Sequence, residues 1–266
     1  MNPNPFADIL ADLPFFVLVA VRILALLMTA PLFSMQAVPR AVHFALAGLT
    51  AFLLLPTAYR TGWVPEPFSL FFLLLVIGEA LLGVLTGLFV NLIFSAFSAA
   101  GQFFSYQMGF GASEVYDALA QVENPLMGQY FNMIAVLVFL QTDGFQKLFL
   151  SGVMNSVRSV NCFSLIQSEE AVVPYLIHGL GTLFFQAALI SLPVIGTLFL
   201  VHVTMGLLSK AAPQMNLLSE GFPATILLTF FLLALLLPRM INLFSAILDQ
   251  GFAAFQRLLA GMGGAL

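Results

Sequence analysis

The sequence predicts an all-α protein of the integral-membrane type, and three observations carry that prediction. Hydrophobic residues make up 61% of the 266, and charged residues only 8%, against about 25% charged in soluble domains. Mean hydropathy is +1.05. Several apolar runs reach or exceed the about 20 residues that a helix needs to cross a bilayer, and residues 171–209 hold no Asp, Glu, Lys or Arg at all. The net charge of -4 gives no basic stripe for nucleic acid. A single cysteine, Cys162, excludes an intrachain disulfide and a cysteine-built metal site, and is expected as a small buried hydrophobe.

The N-terminus carries Asp8 and Asp12 before its first base, Arg22. That order lacks the basic head of a cleaved leader, so the N-terminus is expected to be retained. Residues 13–35 form a first candidate membrane segment, with Arg22 near its middle and Pro31 and Pro39-Arg40 after it. Residues 41–58 make a second, closed by Pro56 and Arg60, and Trp63 suits the membrane surface. Residues 68–100 make a third, which as one helix would reach about 50 Å. It should therefore tilt, kink near Gly83 or Gly87, or leave the bilayer.

Residues 127–142 are apolar but short, as in a helix packed on protein. Residues 143–170 contain Lys147, Arg158, Glu169 and Glu170 and suggest a short surface helix followed by a loop. Residues 171–209 and 221–259 then read as the arms of a hairpin around Met215 and Asn216. The first arm should kink at Pro193 and Gly196 and the second should break at Pro238-Arg239, at matching levels. The bases do not sort onto alternate sides as in ordinary multi-pass chains, which suggests that some apolar segments face protein partners.

Residues 101–125 differ from both flanks. They carry Gly101, Gly109 and Gly111 among polar side chains, then Glu114, Asp117 and Glu123 with no base. Unpaired polar groups in hydrocarbon cost about 2–7 kcal/mol each. The stretch must leave the membrane, line a wet cavity or pack on protein, and the prediction is a loop in a protein-lined pore. Phe103, Phe104, Phe110 and Met108 flank its glycines and could act as gasket residues around it.

Arg22 and Glu79 each sit near the middle of an apolar run, where a charge is a functional hypothesis by default. If the two segments lie side by side they form either a structural buried ion pair or a relay in a self-contained transporter. His43, His178 and His202 stand singly, and no catalytic, phosphate-binding or metal motif is present. The expectation is a protein that is not an enzyme, with no cofactor and no metal.

The run Ala100-Gly101-Gln102, ending in Gln107-Met108-Gly109, resembles a signature of the FliR family of type III secretion export-gate proteins. So does Lys210, Pro213, Gln214 and Asn216 followed by Gly221-Phe222-Pro223. Arg22, Pro31, Pro39-Arg40 and the stretch from Phe139 to Gly144 match the same family. This chain departs from it at Asp117-Ala118, at Asp143-Gly144-Phe145, and at Ala224-Thr225, where the family often has a base. The resemblance implies a channel for unfolded flagellar export substrates, assembled with FliP and FliQ in the bacterial inner membrane at the flagellar basal body. It implies a FliP-like half over 1–170 and a FliQ-like helical hairpin over 171–266. It also implies a closing plug over 109–123, with Gln107, Met108, Gly109, Phe110, Gly111, Ala112, Glu114 and Asp117 as its plug and pore residues. Lys210, Pro213, Gln214 and Asn216 would then face FlhB on the cytoplasmic side.

Overall fold

The computed structural model describes residues 5–33, 38–58, 69–109, 126–160, 169–212 and 217–263, and all regular structure among them is helical. In order these are α1 (Pro5–Thr29), α2 (Arg40–Ala58), α3 (Leu70–Met108), α4 (Leu126–Gln141) and α5 (Gly144–Lys147). A π-helical stretch (Leu148–Met154) follows, then α6 (Asn155–Ser159), α7 (Glu169–Ala211) and α8 (Leu217–Gly263). Among the described residues, three helical stretches are long and apolar enough to cross a membrane: Leu70–Met108, Val172–Ala211 and Ser219–Gly261. The chain is a membrane protein of all-α class.

Several boundaries differ from the sequence expectation, each for a local reason. The first segment ends at Thr29 rather than 35, because Pro31 disfavours helical geometry in the residue before it. Its apolar part, Leu13–Thr29, is therefore shorter than a full span, as is Arg40–Pro56 in α2. α3 does not stop at residue 100 but continues to Met108, so Gly101–Met108 is helix and not loop. Residues 144–159 are not a purely surface helix: Phe145, Gln146, Leu150 and Arg158 are exposed, but the opposite face is buried. The run Leu148–Met154 is apolar, and Leu148, Ser151, Gly152 and Val153 are buried. Asp143, just before α5, holds a left-handed φ of 55°. α8 is not broken at Pro238-Arg239, since it runs on through Pro223 and Pro238. The missing proline N–H is one bond in a 47-residue helix, and the rest of the ladder carries it.

The described residues pack as two units. The first takes in residues up to 92, 143–179 and from 250 onward. Its core is formed by Ile23, Leu26 and Leu27 of α1 with Leu75, Leu82, Phe89 and Val90 of α3. Phe89 stacks on Phe255 at 4.7 Å. α1 and α3 meet through glycine: a Cβ on Gly83 would strike the carbonyl of Arg22, and one on Gly87 the side chain of Thr29. Gly83 and Gly87 thus form a small-xxx-small contact of the kind that lets apolar helices approach closely. The two glycines thus serve a helix contact within one continuous helix.

The second unit comprises 93–142 and 180–249. Its core is aromatic. Phe97 meets Phe244 edge-on at 3.5 Å, Phe94 lies 5.5 Å from Phe139, and Phe104 lies 4.9 Å from Phe131. α4 buries Met127, Phe131, Ala135, Val138 and Phe139 along one stripe, the spacing of a single helix face. Gly101 allows the backbone of Met127 and Gly128 to come close, so the first glycine of the central stretch marks a helix crossing.

Candidate functional site

In the first unit, α1 and α3 bring Arg22 and Glu79 together. Arg22 Nε donates to Glu79 at 2.5 Å, its two terminal nitrogens donate to Ser156 Oγ at 3.1 Å and to the Val160 carbonyl at 2.8 Å, and Arg22 is 4% exposed. Every guanidinium nitrogen is therefore engaged, and the fork joins α1 and α3 to the end of α6. A cation belongs at that end, where the last carbonyls of a helix lack amide partners. The sequence pointed to Arg22 and Glu79 through their position in apolar runs. Ser156 and Val160 carried no such signal, because a serine and a carbonyl look alike wherever they occur.

In the second unit, the two stretches that resembled one family meet. α3 ends at Met108, and Gly109 follows with φ 90°, its N–H donating to the Tyr106 carbonyl at 3.2 Å. Such a left-handed glycine is the usual way for a chain to leave a helix. The ring of Phe222 lies where a side chain on Gly109 would sit. Beneath it, Thr225 Oγ1 donates toward the Met108 carbonyl at 3.2 Å, and both residues are buried. Gln107 makes a longer, exposed contact with His202 of α7 at 3.4 Å.

Met108 is fully buried and Phe104 is packed against Phe131, while Phe103 is half-buried. Of the gasket candidates, Phe104 and Met108 are thus core residues of this unit. Lys210 is exposed in the last turn of α7. Phe110, Gly111, Ala112, Glu114, Asp117, Pro213, Gln214 and Asn216 lie outside the described residues. Phe222 was visible in sequence as part of a motif and Thr225 only as a departure from one. Neither had a partner until the fold supplied Gly109 and Met108. No catalytic array is formed by the residues that meet here. What they do is hold the end of α3 against α8.

A family model for bacterial export proteins, family 1, matches residues 13–251. The chain is 32% identical to the flagellar biosynthetic protein FliR of Bacillus subtilis over 226 residues, which cover 83% of this chain and 85% of that one. It is 34% identical to FliR of Borreliella burgdorferi over 163 residues, and this match spans 61% of each chain. The surface presentation of antigens protein SpaR of Shigella sonnei is 29% identical over 160 residues, 60% of each chain.

Proposed function

The chain belongs to the bacterial export proteins, family 1, and we propose that it is a subunit of the flagellar type III secretion export gate. In this reading it assembles with FliP and FliQ in the inner membrane at the flagellar basal body. Residues 1–170 form the FliP-like half and 171–266 the FliQ-like hairpin. The assembly passes unfolded export substrates, residues 109–123 close the resting channel, and the turn around Lys210 meets FlhB. The subunit performs no catalysis. Flagellar rather than virulence export is favoured because the FliR relative of Bacillus subtilis matches over more of both chains than SpaR does.

The observation that carries this reading is the meeting of Met108 and Gly109 with Phe222 and Thr225. Two stretches far apart in sequence form one physical unit at the point where the chain departs toward residue 110. A segment that must close a channel needs a root that is held while the channel is closed, and a displaceable body. Its glycines allow the backbone to rearrange, and many small contacts can be exchanged for substrate. The self-contained transporter is disfavoured, because Arg22 is wholly engaged in joining helices.

Deleting residues 109–123 in cells that make the other gate subunits tests the reading. The expected outcome is a gate that still assembles and a membrane that leaks ions. Unchanged permeability with an assembled gate would overturn the plug.

A further inference from the structure

We infer that Thr225 is a positioning residue that clasps the last turn of α3 to α8 through a hydroxyl able to let go without being left unbonded. Thr225 Oγ1 has one proton and three carbonyls within reach: Met108 across the helices at 3.2 Å, and Gly221 at 3.1 Å and Phe222 at 3.0 Å within α8. The side chain is 2% exposed and Met108 is fully buried, so no water competes for the proton.

A buried donor with a single partner resists separation, because parting leaves it unmatched. Thr225 escapes that penalty. When α3 moves away, the hydroxyl turns to the carbonyl three or four residues back in its own helix, as threonines in helices ordinarily do. What stays behind is the Met108 carbonyl, and an under-satisfied carbonyl is better tolerated than an orphaned N–H. The clasp therefore adds about one ordinary hydrogen bond when closed and leaves no orphaned donor when it opens.

Phe222 supplies the other half. Its ring covers Gly109, at the one described glycine whose positive φ directs the chain out of a helix. Ring and hydroxyl come from the same turn of α8, so a small movement of that turn withdraws both together. That this movement governs the resting channel rests on the gate reading above, whereas the clasp itself rests on the geometry alone.

Hydrogen exchange of the assembled complex tests the clasp, and ion permeability tests its link to the gate. Thr225→Val keeps the shape and removes the proton. It is expected to speed exchange at the amides of 106–109 by about threefold to tenfold, the worth of one ordinary hydrogen bond, with chain abundance unchanged and permeability raised. Thr225→Ser restores native exchange. Phe222→Leu is expected to speed exchange at the same amides and carries the test if Thr225→Val does not accumulate. Native exchange in accumulated Thr225→Val, or in Phe222→Leu when only that variant accumulates, overturns the proposal. Faster exchange without added permeability upholds the clasp and counts against the closed-channel reading instead.

Discussion

At the scale of single residues, the buried charge shows how little a charge pattern says without its neighbours. Arg22 and Glu79 pair, but Arg22 also serves Ser156 and the Val160 carbonyl. Removing one partner leaves a buried charge uncompensated, which costs about 3–5 kcal/mol. Arg22→Leu is therefore expected to lower chain abundance in the membrane sharply. Arg22→Leu with Glu79→Leu should recover most of it, measured by quantitative blotting of the membrane fraction. Exchanging the two charges is a poorer test than removing both. An acid at position 22 could not donate to Val160, and the swap would fail for a reason unrelated to the pair. If the apolar double variant is abundant yet export stops, the pair has a role beyond packing.

At the scale of elements, glycines decide where long helices cross. Gly83 and Gly87 lie against α1, and Gly101 lies against α4, each with no room for a methyl group. Gly181, Gly196 and Gly206 of α7 face open space, with nothing within 4 Å of where a Cβ would stand. Alanine at Gly83 or Gly87 should force the helices apart and destabilise by about 1–3 kcal/mol. Alanine at Gly196 should be neutral or stabilising by up to about 1 kcal/mol through helix propensity. Thermal unfolding of the purified chain in detergent checks the contrast, and equal effects at both places would show that the α1–α3 approach is wrong. The sequence marks these positions as glycine but not their purpose. Gly83 and Gly87 read equally well as a kink, because a glycine that yields to bending and one that admits a neighbour are written identically.

At the scale of the whole molecule, the long helices keep much of their apolar surface uncovered. Phe184, Phe185, Phe230 and Phe231 are between 47% and 67% exposed, and Leu227 reaches 72%. Apolar surface of this extent on a folded chain needs lipid or protein over it. Co-expression with FliP and FliQ, purification through a tag on this chain and native mass spectrometry should yield a defined hetero-oligomer with a single copy of this chain. A monomer or homo-oligomer beside well-expressed partners would remove the gate reading.

The amino-acid sequence by itself determined the all-α membrane class, the order and approximate extent of the long helices, and the residues worth watching. Apolar length and the rarity of charge act locally, through backbone hydrogen bonds that hydrocarbon forces to close within each helix. Tertiary structure alone decided that the central stretch stays helical to Met108, that Leu148, Ser151, Gly152 and Val153 are buried, and that α8 passes through Pro238. It alone brought Gly109 to Phe222 and Met108 to Thr225. Those outcomes depend on which surfaces meet, and contacts between residues more than a hundred positions apart leave no periodicity along the chain for a reader to find.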